Sequence, residues 1–187
     1  MTQLSIFSTQ TADVDAAPKP VFCTSHAERI SEQLQTRGIN FGRWSTKTLL
    51  RPGAGQEEIL NSHEAEITAL HRKENYQTID VMRVNPDQNQ TKTAQLRQQF
   101  LHEHRHAEDE VRCFVEGRGL FSLHINEEVI QVLCETNDWI TIPAETRHWF
   151  DMGATPNYCV IRFFQKSEGW IAKFTQDTIA RRYPYLD

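Results

Sequence analysis

The stretch from His102 to Gly117, HEHRHAEDEVRCFVEG, constrains this chain more than any other. It sets histidines, several carboxylates and an arginine into two short runs with the spacing of β-strands. Side chains of a strand alternate between its faces, so His104 and His106 share one face with Arg105 turned away between them, and two imidazoles can reach one ion. Ala107-Glu108-Asp109 reads as a turn with solvated carboxylates. From Glu110 the alternation resumes, with Glu110, Arg112 and Phe114 on one face and Val111, Cys113 and Val115 on the other. The same parity brings a carboxylate and a guanidinium beside the two histidines. Gly117 and Gly119 are expected to end this run in a tight turn that needs positive φ. His102 falls on the face of His104 and His106 as well, so parity alone leaves it open as a ligand.

Strand signals crowd around this stretch. Leu120 to Ile125, Val129 to Cys134, Trp139 to Pro143, His148 to Met152 and Tyr158 to Phe164 are short alternating runs separated by Gly, Asn-Glu and Pro signals. They predict a mainly β protein built as an antiparallel barrel or sandwich. Before it, Gln3 to Phe7 reads as a first strand and Asp13 to Pro20 as a loop. Ser25-His26-Ala27-Glu28 has the form of a capping box that opens a helix stopped by Gly38. Phe41 to Leu50 alternates like a strand, and Gln56 to Lys73 carries Ile59, Leu60, His63, Ile67 and Leu70 at the spacing of one amphipathic helix. Tyr76 to Val84 reads as a strand, and Asp87 to Gln99 as a loop with a short helix. The helices are peripheral, and Gly169-Trp170 reads as a loop or short helix closing over the barrel.

The chain has 187 residues, enough for one domain that buries its apolar surface without disulfides or a structural metal. Acidic residues outnumber basic ones by 25 to 20, a formal charge of −5 that argues against nucleic acid or an anionic membrane as partner. Cys23, Cys113, Cys134 and Cys159 are widely spaced with no C-x-x-C pair, which reads as free buried thiols in a reducing compartment. The N-terminus has no secretory pattern and no window has the length of a membrane span. The expectation is a cytoplasmic monomer acting on a small molecule.

The arrangement His104, His106, Glu110 and Gly117 matches the first cupin motif, H-x-H-x(3)-E-x(6)-G, in all its named places. Pro143-Ala144-Glu145-Thr146-Arg147-His148 resembles the P-x-G-x-x-H core of the second cupin motif, with Glu145 in place of its glycine. Asn137 stands where a glycine would open that motif, and Met152 where an Asn would close it. More closely, EHRHAEDEVR with FVEG, NDWITIPAETRHWFDMG and IRFFQKSEGWIAKFT resemble the acireductone dioxygenase family of methionine salvage. The closer resemblance spans about Phe100 to Thr175. It implies a jelly-roll-like cupin barrel with one domain over 1–187, the strands and helices of about 1–99 packed on a metal-binding barrel of about 100–175.

The motif spacing selects His104, His106, Glu110 and His148 as ligands and leaves His102 as a rim or neighbouring group. His26, His63, His71 and His124 have no partner at ligand spacing and are read as structural. Three imidazoles and one carboxylate leave two positions open on an octahedral ion, which suits Fe(II), Ni(II), Mn(II) or Co(II) better than a closed structural zinc site. The resemblance implies Fe(II) or Ni(II), one per chain, with acireductone and O2 as substrates. It implies formate and 4-methylthio-2-oxobutanoate as products with iron, and formate, carbon monoxide and 3-methylthiopropanoate with nickel. It also gives Arg112 the substrate oxygens and Trp170 the wall at the methylthio end. Phe100 and Phe150 keep parity with His104 and His148 and are expected to line the cavity, as substrate contacts or as aromatic filling. Other cupin oxygenases that open a flavonol or a thiol substrate would retain the ligands and differ in the wall, and a metal-binding cupin without catalysis would retain the ligands alone.

Overall fold

A computed structural model describes residues 1–10, 17–44, 50–51, 53–72, 76–86, 90–166 and 171–187. Among them the elements run β1 (Gln3–Ser8), β2 (Phe22–Thr24), α1 (Ala27–Gln35), β3 (Asn40–Arg43), α2 (Gln56–Ser62), α3 (Glu64–His71), β4 (Thr78–Val84) and α4 (Gln90–Phe100). There follow β5 (His104–Arg105), β6 (Glu110–Ile125), β7 (Glu128–Glu135), β8 (Asp138–Ile142), β9 (Arg147–Asp151), β10 (Tyr158–Phe164) and β11 (Lys173–Phe174), then a single 3-10 turn at Ile179–Arg182. All strand pairings are antiparallel, as the short alternating runs predict.

Strand β6 joins the two layers of the barrel. Its first part pairs with β8 and β10, from Glu110↔Ile142 to Gly117↔Tyr158. Its second part pairs with β7 and β9, as in Leu120↔Leu133 and Leu123↔His148. One layer therefore runs β11-β5-β9-β6-β7-β1-β2, and the other brings β4, β10, β6, β8 and β3 together. The expectation that Gly117 and Gly119 end a strand is corrected: the strand passes through them and bends. Gly117 has φ +72°, and a Cβ there would lie 1.9 Å from the carbonyl oxygen of Asn157. Register with the facing strand shifts between Cys159 and Val160, leaving Val115 as the extra residue of a bulge next to Gly117, where the close approach of β10 needs a glycine for both its conformation and its missing side chain.

Alternation assigns each strand face to its own apolar cluster. Inward residues from both layers, among them Leu4, Ile6, Phe114, Phe121, Ile130, Ile140, Phe150 and Val160, fill the barrel together with Ile30 and Leu34 of α1. The opposite face of β6 and β10, with Val111, Cys113, Cys159, Ile161 and Phe163, packs against Trp44, Ile59 and Leu70. The outer face of the other layer places Phe7, Val129 and Trp149 against Ala180 and Tyr183 of the C-terminal segment. Cys113, Cys134 and Cys159 are buried as expected, and burial raises their thiol pKa values; Cys23 is instead exposed.

Several helix boundaries differ from the sequence reading. The expected helix of Gln56 to Lys73 is interrupted at His63, whose φ of −119° and ψ of 21° leave the helical region. The His63 Nδ1 lies 2.9 Å from the Ile59 carbonyl, and its ring lies 5.5 Å from that of Trp44. The capping box does not form; α1 starts after His26, whose N–H is received by the Thr24 hydroxyl at 3.2 Å. Of the Gln-rich segment read as loop and short helix, residues 90–99 lie in α4, held by a bidentate Arg97–Asp151 pair at 2.7 and 3.0 Å, and 87–89 lie outside the described residues. No helix among the described residues is long and apolar enough to cross a membrane.

The bend yields a direct expectation. Gly117→Ala should cost about 3 kcal/mol or more, because strain at positive φ adds to a clash with backbone. Gly38→Ala, at φ +77° with nothing within 4 Å of the new Cβ, should cost about 1 kcal/mol. Thermal unfolding of the two variants checks this, each kcal/mol moving the midpoint by roughly 2–4 °C in a chain of this size. Equal losses would mean that β10 imposes no requirement on Gly117.

Candidate metal centre

The site lies where β5, β9 and the start of β6 meet inside the barrel. His104 pairs directly with His148 across β5 and β9, and Leu123 of β6 lies beyond His148 in register. Parity turns the imidazoles of His104, His106 and His148 inward, with ring centroids 4.5 to 5.2 Å apart. All three are buried, and one nitrogen from each lies within 4.8 Å of the others. Among the described residues no second group of this kind occurs. Arg105, between the first two, is turned out to an ion pair with Glu145 at 3.0 Å.

Backbone carbonyls set which nitrogen of each ring faces the centre. Nδ1 of His104 lies 2.7 Å from the His102 oxygen, Nδ1 of His148 lies 2.8 Å from the Thr146 oxygen, and Nδ1 of His106 lies 3.2 Å from the Ile171 oxygen. A carbonyl only accepts, so each Nδ1 carries a hydrogen, and a ring in its neutral form presents the Nε2 lone pair inward. Burial, aided by the neighbouring His148, lowers the His104 pKa to about 4, which keeps that ring neutral at pH 7.

Glu110 lies against two of the three rings. Its Oε2 lies 2.9 Å from His148 Nε2 and 3.4 Å from His106 Nε2, while Oε1 accepts the Arg112 Nε–H at 2.6 Å. Burial alone would raise this carboxyl, but the charge of the adjacent Arg112 guanidinium holds it well below the usual carboxylate range. Glu110 Oε2 and His148 Nε2 are fully buried and lack a hydrogen-bond partner of good geometry. In the neutral form of the His148 ring the two atoms face each other as lone pairs, which repel unless a cation lies between them. Nitrogen and carboxylate donors of this kind suit a divalent ion of intermediate hardness, so the residues present fit a bound metal.

The Arg112 guanidinium sits among aromatic faces, 5.0 Å from the Phe150 centroid and 5.7 Å from those of Phe100 and Phe121. Phe150 lines the interior as parity suggested. Phe100 reaches the same place from the last residue of α4 rather than from a strand. Trp170 lies outside the described residues. His102 is exposed, and only its carbonyl serves the cluster.

Sequence reasoning missed other residues around the centre. Glu108, expected in solvent, is buried and accepts the Lys166 N–H at 3.2 Å. Asp109 receives the Ala144 N–H at 2.8 Å, which ties the turn before Glu110 to the segment leading to His148. Phe121 could have been found by extending the alternation of β6 through Gly117 once the bulge was allowed for. Glu103 gives no spacing signal, since its partners His124 and Thr175 lie 21 and 72 residues away. The departures from the second motif also resolve: Asn137 and Glu145 take φ values of 75° and 62°, so both adopt the conformation that a glycine would supply.

A buried ion pair of this kind generates a stability expectation. Arg112→Met should destabilise the metal-free protein by about 3–5 kcal/mol, because the Glu110 carboxylate is left buried without its guanidinium. Adding Glu110→Gln should recover part of that loss. Strictly additive losses in denaturant unfolding would show that the two groups are not coupled.

Known proteins resemble this chain in sequence and fold. The chain matches the ARD/ARD' family over residues 22–172. It is 57% identical to an acireductone dioxygenase of Synechococcus sp. (strain CC9311), the alignment covering 100% of this chain and 96% of that one. It is 46% identical to an acireductone dioxygenase of Pseudomonas syringae pv. tomato, with 100% and 99% covered. Its fold is that of a solved acireductone dioxygenase from Bacillus anthracis with cadmium ion in the active center, at a TM-score of 0.75, 24% identity, and coverage of 93% and 98%. With the family pattern extending from β2 through the strands that carry the histidine cluster, the chain belongs to the ARD/ARD' family.

Proposed function

We propose that this protein is an acireductone dioxygenase that holds one Fe(II) or Ni(II) ion per chain through His104, His106, Glu110 and His148. The observation that carries this reading is the cluster of three buried imidazoles, each with Nδ1 on a backbone carbonyl, with the Nε2 atoms of His148 and His106 at 2.9 and 3.4 Å from the Oε2 of the buried Glu110. Family membership supports the substrate assignment. All four proposed ligands come from one chain, so a monomer suffices for the site.

When bound, the divalent ion supplies a Lewis-acid centre with open positions for an ene-diolate and O2 chemistry. The chain's own residues set the surroundings. Three neutral imidazoles and one carboxylate leave a divalent site with net charge of about +1, which favours an anionic substrate. The Arg112 guanidinium is fixed by Glu110 and enclosed by Phe100, Phe121 and Phe150. It stabilises negative charge on the substrate oxygens in a place from which aromatic rings exclude water, where a preorganised cation is worth more than in solvent. The same rings provide an apolar wall for the methylthio chain, and Trp170 is assigned to that wall by family resemblance.

Metal analysis and product identification test the proposal. His148→Ala should lose the bound ion and the activity, whereas His102→Ala should retain most of both. Arg112→Lys should keep the ion yet lose about a hundredfold in turnover, since an ammonium cannot reproduce the fork held by Glu110. Metal-free protein reloaded anaerobically with Fe(II) should turn acireductone and O2 into formate and 4-methylthio-2-oxobutanoate. Reloaded with Ni(II), it should give formate, carbon monoxide and 3-methylthiopropanoate. Full metal loading without consumption of acireductone by either form would overturn the reading.

A further inference from the structure

The side of β5 that faces away from the imidazoles holds a second set of buried polar groups. Glu103, immediately before His104, is 1% exposed. One of its carboxylate oxygens accepts the His124 Nδ1–H at 2.6 Å and the other accepts the Thr175 hydroxyl at 2.6 Å. The Glu103 carbonyl also accepts the Thr175 N–H at 3.1 Å. His124 Nε2 lies 3.4 Å from a guanidinium nitrogen of Arg147, which can only donate, so the ring proton sits on Nδ1 towards Glu103.

Strand parity accounts for this convergence. His124 pairs with Arg147 while Leu123 pairs with His148, so an inward histidine on β9 places the preceding arginine on the outer face beside His124. Glu103 and His104 repeat that relation at β5. Strand β11 pairs with β5 through Lys173↔Arg105 and Phe174↔His104, and Thr175 follows it directly. At the other end of the same short segment, the Ile171 carbonyl receives the Nδ1–H of His106. Thus Glu103 precedes one candidate ligand, Arg147 precedes another, and Thr175 anchors the segment whose carbonyl orients the third.

We propose that Glu103 and Thr175 are positioning residues for the metal centre, forming a clasp that holds segment 171–175 so that the Ile171 carbonyl keeps the His106 imidazole aimed at the ion. The inference rests on the metal reading above and goes beyond it by assigning retention of the ion to groups outside the ligand set. The His106 Nδ1–Ile171 contact is the longest of the three carbonyl contacts, and Ile171 itself is exposed. Little packing at Ile171 therefore fixes that carbonyl, and the pairing of β11 with β5 together with the part-buried bonds of Thr175 to Glu103 carries the task. Contacts that orient a metal-bound imidazole typically change metal affinity by 10–100-fold.

The test follows loss of Ni(II) from the full chain into excess EDTA, by metal analysis over time, beside thermal unfolding of each metal-free protein. Thr175→Val removes the hydroxyl at nearly constant volume and should speed loss of the ion about tenfold or more. Thr175→Ser should restore the wild-type rate, and Glu103→Gln, which weakens both side-chain bonds, should also speed it. Wild-type loss rates in Thr175→Val and Glu103→Gln, with only the unfolding temperature lowered, would overturn the clasp as a metal-positioning device while leaving the metal reading intact. Failure of Thr175→Ser to restore the rate would also overturn it. Failure of the wild-type chain to bind Ni(II), Fe(II) or Co(II) would overturn the metal reading and the clasp together.

Discussion

A buried carboxylate that stays ionised is the constraint on which the centre of this protein depends. Glu110 is 2% exposed, and such a charge is tolerated only with cations and donors supplied around it. Arg112 supplies one cation from two residues along the same strand face. The inward rings of His106 and His148 approach the other oxygen with lone pairs, an arrangement that stays costly until a metal ion joins them. Fold and chemistry are therefore linked, because the groups proposed to bind an ion are costly to the barrel interior without one.

The barrel is arranged to make that interior rigid. Strand β6 carries Glu110 and Arg112 in one layer and Phe121 in the other, and the bulge at Val115 with the bend at Gly117 lets one continuous strand serve both. Aromatic rings then fill the space behind the guanidinium, Phe121 and Phe150 lying 4.7 Å apart and Phe100 reaching Phe150 from α4 at 6.2 Å. Outside the barrel, carbonyls of the segments next to each histidine fix its tautomer. The imidazoles are thus oriented by backbone, and backbone is held by the sheet.

Much of this was legible in the sequence, for definite reasons. Period-two alternation assigned Val111 and Cys113 to one cluster and Phe114 to another, and motif spacing singled out the three histidines that cluster in space. What local pattern could not show were events decided at long range. Gly117 signalled positive φ, but whether the chain turns back or bulges depended on β10 passing 41 residues later at Tyr158. The amphipathic spacing from Gln56 ran through His63 without revealing that its ring would bond back to the Ile59 carbonyl and break the helix. Glu108 looked like a turn residue because its burial depends on Lys166, and Glu103 was unremarked because its partners belong to β6 and the C-terminal segment. Glu145 and Asn137 looked like departures from a glycine pattern, yet the backbone kept the glycine-like conformation and changed only the side chain.

The central claim is that three imidazoles and the Glu110 carboxylate bind one ion together. X-ray absorption of the Ni(II)-loaded protein tests it most directly, since ring scattering beyond the first shell counts imidazoles and sulfur scattering reveals thiolates. The account predicts a first shell of nitrogen and oxygen with outer scattering from three imidazoles, reduced to two in His148→Ala if any ion is retained. A shell containing sulfur, or one with a single imidazole, would contradict it.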